Sequence, residues 1–235
     1  MLDRQTVDVN ISCRKRLRLL AFTLAEVLIT LGIIGIVAEM TIPTLMNNVQ
    51  DAQYKSALKK NFSVFSQIYL QIQTDGGTFQ DGISACTDAA TKHTCFKNII
   101  KPYLKVVNDC DSNNSLGVCF PSTIYEMDRS VVPVGSFFDP GAAGLLLNDG
   151  TSVMIVLDGS DCPITRGTFT GECGWINVDV NGLKKPNTMG KDIYNFMFYK
   201  DRLRPTGGTG DGYEYASYCV PSHGVGCAAK YLQGN

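Results

Sequence analysis

RKRLRLLAFTLAEVLITLGIIGIVAEMTIPTL, Arg14 to Leu45, sets a basic cluster against a long apolar run that holds two glutamates, Glu26 and Glu39. From Phe22 to Ile42 the residues are predominantly apolar, and about twenty such residues at 1.5 Å rise cross a hydrocarbon layer of ~30 Å. The run predicts a membrane-spanning helix. Arg14, Lys15, Arg16 and Arg18 precede it, and flanking positive charge stays cytoplasmic, so the C-terminal bulk is expected outside. A carboxylate inside the hydrocarbon is costly unless something pairs it, which makes Glu26 a functional candidate. Glu39 sits near the outer end of the run, where its side chain reaches the interface.

Working outward, the helical pattern continues beyond the apolar run. Leu58, Phe62, Phe65, Tyr69 and Ile72 recur at spacings of three and four, with Lys55, Lys59, Lys60 and Gln67 between them, which predicts an amphipathic helix with one apolar stripe. Asp75-Gly76-Gly77 is its stop signal. Pro43 falls inside the helix, removes one ladder bond and crowds the preceding turn, so a kink or local melting is expected there. The chain thus divides into a basic leader (1–21), a membrane and assembly helix (22–45), an amphipathic continuation (46–75) and a globular head (76–235).

The net charge of −1 hides a split. Residues 1–21 hold five Lys/Arg against two Asp, and the remainder holds sixteen against twenty Asp/Glu. A weakly acidic body without a basic stripe gives no footprint for nucleic acid. Of the nine cysteines only Cys13 precedes the apolar run. An even set lying wholly downstream of a membrane segment reads as a disulfide framework in an oxidising compartment. The expected pairs are the sequence-local ones, Cys86-Cys95, Cys110-Cys119, Cys162-Cys173 and Cys219-Cys227, because each brackets a short turn-rich stretch. Zinc is the competing reading, but no CxxC occurs.

The head reads as a small antiparallel sheet. LLLNDGTSVMIVLD, Leu145 to Asp158, carries two apolar runs joined through Asn148-Asp149-Gly150, a hairpin signal. WINVDV and YNFMFY predict further strands, three or four in all, with one short helix around Phe96 to Val106 in an otherwise loop-rich segment. One amphipathic helix covering such a sheet is an α+β architecture.

AFTLAEVLITLGIIGIVAEMTIP resembles the prepilin signature of type IV pilins and type II secretion pseudopilins: a basic leader, a small residue at the cut, a new N-terminal Phe, Thr-Leu, and a glutamate fifth in the mature chain. The corresponding residues are Ala21, where glycine is usual, Phe22, Thr23, Leu24 and Glu26; Pro43 falls where many members also carry a proline. The resemblance implies a pilin-like fold. It also implies cleavage between Ala21 and Phe22 by a prepilin peptidase, methylation of the new amine, and a place in the cytoplasmic membrane with the head outside. The implied partners are homologous pilin or pseudopilin subunits and an assembly-platform membrane protein, in a periplasmic or extracellular fibre. Glu26 would then pair with the Phe22 amine of a neighbouring subunit, two charges costly alone and tolerable together. An ordinary signal peptide would be cut after Ala38, but its apolar region would be too long and the helical stripe beyond it unexplained.

No cofactor is required on this reading. Calcium is the one candidate: DVNGLKKPNTMGKD, Asp179 to Asp192, lies near the C-terminal strands, where some pseudopilins bind it, and offers Asp179, Asn181 and Asp192 as oxygen ligands. Turn chemistry explains the same residues. The DCDSNN stretch at Asp109 reads as a solvated loop, and the Gly-rich stretch Pro205 to Tyr218 as a flexible surface loop. Catalysis has little support, because the two histidines, His93 and His223, lie in cysteine-rich segments and no G-x-S-x-G occurs. The alternatives to a structural subunit are a minor pilin that binds a surface, DNA or cargo, and a membrane-anchored secreted enzyme.

Overall fold

The computed structural model describes residues 23–233, and the chain divides into two units, Met1–Asn47 and Asn48–Asn235. The expected leader and the cut site at Ala21 and Phe22 lie outside the described residues. A single helix, α1 (Leu24–Gly76, 53 residues), contributes to both units.

In the first unit none of the described residues is buried, and Leu28, Ile33, Ile34 and Met40 are all more than half exposed. One 18-residue window has a mean hydropathy of 1.9, so the helix is long and apolar enough to cross a membrane. Every residue around Pro43 is helical, so the local melting expected there is absent. Pro43 lacks one N–H, and the turns on both sides keep their ladder bonds.

In the second unit the predicted stripe seats α1. Leu58, Phe65, Ile68, Tyr69 and Ile72 are buried, and Phe62 is half-buried. The helix stops at Gly76, and Gly77 takes a left-handed turn (φ +90°) while its N–H donates to Gln73 O. Two short helices follow, α2 (Phe79–Ile83) and α3 (Lys92–Ile100), then a 3-10 turn, Lys101–Tyr103. The helix expected over 96–106 therefore lies four residues earlier and ends sooner. Lys101 keeps helical backbone in that turn, but Leu104 is already extended and Val106 belongs to a strand.

The sheet has seven strands rather than three or four: β1 (Val106–Cys110), β2 (Ala143–Leu147), β3 (Ser152–Leu157), β4 (Ile164–Arg166), β5 (Phe169–Asp179), β6 (Ile193–Tyr199) and β7 (Leu203–Pro205). Every pairing is antiparallel, in the order β1-β2-β3-β5-β6-β7, with β4 hairpinned onto the start of β5. Two short helices, α4 (Tyr215–Tyr218) and α5 (Cys227–Gln233), close the chain.

All residues of β3 and β6 are buried, so these strands read as continuous apolar runs and both faces of the sheet are covered. The alternation separates two cores. Val153, Ile155, Leu157, Ile176, Val178, Phe196 and Phe198 face α1 and α3; Met154, Val156, Trp175, Met197 and Tyr199 face a second core built by loop residues such as Phe137 and Val132. Gly174 leaves no room for a side chain between β5 and β3, since a Cβ there would meet Val156 O at 2.3 Å. A long apolar helix with a separate antiparallel sheet is the α+β class.

Candidate functional site

At the start of α1, Thr23 and Glu26 hold one another. Glu26 Oε2 accepts from Thr23 N (2.8 Å) and Thr23 Oγ1 (2.9 Å), while Thr23 Oγ1 accepts from Glu26 N (3.2 Å). This is the reciprocal capping box that Thr-x-x-Glu encodes, and it satisfies two of the donors left free at a helix start. Glu26 thus caps its own helix in the single chain, a role the sequence reading did not assign to it.

The loop between β5 and β6 gathers the residues nominated for calcium. Asp179 and Asp192 are fully buried. Asp179 Oδ1 accepts from Asn181 N (3.1 Å), and the Asp192 carboxylate accepts from Asn187 N (2.9 Å) and Thr188 N (2.6 Å). Burial, and then the neighbouring Asp192 charge, push the Asp179 carboxyl well above the usual range; burial raises Asp192 against the pull of its backbone donors. Asp179 Oδ2 and Asn181 Oδ1 are buried without a hydrogen-bond partner among the described residues. Asn181 Nδ2 donates to Tyr54 OH (3.2 Å) and to Lys185 O (3.2 Å), which brings α1 to the rim of the loop. Hard oxygen atoms with two carboxylates and unfilled acceptors suit a calcium-like cation. Among the described residues no group of three or more His, Cys, Asp or Glu is placed to hold a metal, so any ligand set here depends on amide and main-chain oxygens beside the two carboxylates.

The structure joins Cys86 to Cys95, Cys110 to Cys119, Cys162 to Cys173 and Cys219 to Cys227. Their separations are 8 to 11 residues: Cys162–Cys173 spans β4 and the start of β5, and the other three bracket mainly turns. On the chain-entropy account each removes ~2.5 kcal/mol of freedom from the unfolded state.

Two loops differ from their sequence reading. Asp109 and Asp111 clasp the buried Lys97 ammonium, so the segment expected to be merely solvated anchors α3. In the Gly-rich segment, Thr206, Gly207, Gly208 and Asp211 are buried. The Asp211 carboxylate accepts from the N–H groups of Gly207, Gly208 and Tyr213, each at 2.8 Å, which fixes the loop expected to be flexible.

A charged group missed at the sequence level lies on β4 and β5. Arg166 pairs with the fully buried Glu172 and donates to Tyr213 OH (3.0 Å), with Asp158 at 4.0 Å. Burial outweighs Arg166 and holds the Glu172 carboxyl up to about 7. His93, the other candidate base, is spent structurally: its Nδ1 accepts from Leu157 N (3.0 Å), and burial lowers its pKa.

No family model, curated protein or solved structure matches this chain, so its functional reading rests on these residues and their arrangement.

Proposed function

We propose that this chain is a structural subunit of a type IV pilus or type II secretion pseudopilus. It would be made in the cytoplasmic membrane with its globular unit outside, trimmed before Phe22 by a prepilin peptidase, and assembled through α1. The observation that carries the reading is the uncovered apolar half of α1. Exposed Leu, Ile and Val line it on all sides, it begins at the Thr23-Glu26 cap, and it runs without a break into the stripe that seats on the sheet. A membrane covers such a surface before assembly, and the same segments of neighbouring subunits cover it in a fibre. The homologous subunits, the peptidase and an assembly-platform protein are its partners, and no bond-making step belongs to the chain itself.

Immunogold labelling of surface structures from cells that carry the peptidase and assembly proteins tests this. Label along fibres is expected; label confined to the membrane, with fibres formed normally, contradicts it.

A second element of the reading is calcium in the loop between β5 and β6, with Asp179, Asn181 and Asp192 as ligands. It rests on the unfilled Asp179 Oδ2 and Asn181 Oδ1. A bound divalent cation would neutralise the facing carboxylates and fasten the loop to the Tyr54 region of α1.

A further inference from the structure

Three charged side chains meet at the β4–β5 hairpin. Arg166 of β4 and Glu172 of β5 are paired across it, and Asp158, on the turn after β3, stands 4.0 Å from the same guanidinium. Glu172 is fully buried, and the Arg166 and Asp158 side chains are only 23% and 25% exposed. Each carboxyl has one buried oxygen, Glu172 Oε1 and Asp158 Oδ2, that receives no N–H or O–H among the described residues. The two carboxyls hydrogen-bond to one another. Ionised carboxylates only accept, so this contact needs a proton, and one proton between them supplies the donor that both lack.

Charge counting gives the same result. One guanidinium against two carboxylates leaves a buried cluster at −1, and a single proton brings it to zero. The charges around the cluster oppose one another: Lys92 of α3 and Asp139, from the loop before β2, act on Asp158 with opposite sign. Tyr213 faces Arg166, and Tyr199 of β6 faces Glu172, with Asp211 and Arg204 of opposite sign beyond it. Burial, against the pull of Arg166, holds the Glu172 carboxyl up to about 7 and raises Asp158 as well. With two like groups in contact, the proton belongs to the pair.

Two stretches of irregular chain are fastened around these groups. In the turn after β3, Asp158 N donates to Cys173 O (2.8 Å), and Lys92 Nζ donates to Asp158 O (2.9 Å). In the loop after β7, Tyr213 OH accepts from Arg166 (3.0 Å), and Gly210 O accepts from Thr168 N (2.7 Å). Without the proton, two adjacent carboxylates repel one another in a poorly hydrated place. Asp158, on a turn and part-exposed, is the one able to move toward water.

We propose that Asp158 and Glu172 share one proton and form a pH-operated latch, which holds the turn 158–163 and the loop 206–213 onto the β4–β5 hairpin and slackens both when the proton leaves. The proposal concerns the globular unit alone and stands whether or not the chain enters a fibre. In an opened latch each carboxyl titrates near its ordinary value, so the closed form binds the proton to higher pH. Opening therefore becomes easier as pH rises from about 4.5 to about 7 and levels off above.

Hydrogen exchange of the full-length chain in detergent, followed by mass spectrometry from pH 5 to pH 8, tests this once each rate is divided by that of a free amide at the same pH. Protection of 158–173 and 206–213 should fall by about tenfold or more between pH 5 and pH 7. It should stay below that of the β2–β3 hairpin throughout, the mark of local opening. In Glu172→Gln and Asp158→Asn an amide supplies the donor at every pH, so each should keep its pH 5 protection up to pH 8. Asp201→Asn, at an exposed position after β6, should respond as the parent does. A flat profile in the parent overturns the proposal, as does protection equal to that of the hairpin at every pH, or a pH response that survives in an amide variant. Circular dichroism at pH 5 identifies a variant that fails to fold, and one folded variant suffices for the comparison. Because an amide stands in for the protonated acid, failure of both to fold at pH 5 also counts against the latch.

Discussion

Replacing Phe79 by alanine tests what fastens α1 to the sheet. Phe79 is fully buried and stacks between Tyr69 of α1 (4.7 Å) and Phe198 of β6 (5.3 Å), with Phe96 of α3 edge-on at 6.0 Å. One ring therefore joins three helices and a strand. Truncating a buried Phe costs about 3–5 kcal/mol through lost transfer energy and the cavity left behind. Three aromatic pairs, each contributing about 0.5–1.5 kcal/mol beyond area, place this site toward the upper end. Total stability is of order 5–15 kcal/mol, so the loss is a large share of it. For a domain of this size about 2–4 °C of melting temperature goes with each kcal/mol, which predicts a fall of roughly 6–20 °C. Thermal unfolding of the full chain, followed by near-ultraviolet circular dichroism, reads the effect. Leu183→Ala, at an exposed position, should change stability by no more than about 0.5 kcal/mol. A Phe79→Ala chain that melts within about 2 °C of the parent would refute the view that this aromatic cluster holds the helix to the sheet.

Three further outcomes follow from the sites. Glu26→Gln keeps the capping box, since glutamine serves at that position, but removes the charge; it should leave the helix intact and abolish entry into fibres, whereas normal entry would show that Glu26 only caps. Tyr54 lies beside the loop between β5 and β6, so terbium bound there should luminesce on tyrosine excitation, with calcium displacing it and Asp179→Asn losing it; no saturable signal would remove the cation from the account. Burial raises the Glu172 carboxyl to about 7 from the 4.5 of an unperturbed glutamate, so the folded chain keeps this proton to higher pH than the unfolded chain does. Stability should therefore fall between about pH 4.5 and pH 7 and level off above, and Glu172→Gln should flatten that slope; an unchanged slope would mean that another group sets it.

The parts of the fold legible in the sequence are those where one period dominates. The apolar run after Arg18 and the Leu58-to-Ile72 stripe have lengths and spacings that only a helix satisfies, and the Asn148-Asp149-Gly150 turn marks the β2–β3 hairpin. Strands β4 and β7 are three residues each, too short to show alternation, so the sheet is larger than the sequence suggests. The Gly-rich segment reads as flexible because its order comes from one buried carboxylate, Asp211, whose partners are main-chain N–H groups with no sequence signature. The same holds for Arg166 and Glu172: both are residue types of an ordinary surface, and only the burial of the β4–β5 hairpin makes them a coupled pair. The oxygen donors of the loop between β5 and β6, Asp179, Asn181 and Asp192, are legible as residue types, whereas the reach of α1 to them through Tyr54 depends on packing.

The central claim is that this chain passes through the prepilin pathway, and the N-terminus of the protein recovered from sheared surface material tests it most directly. Intact-mass analysis and N-terminal sequencing should find a chain that starts at Phe22, with or without a methyl group on its amine. A chain that starts at Met1 or at Glu39 would contradict the fibre reading.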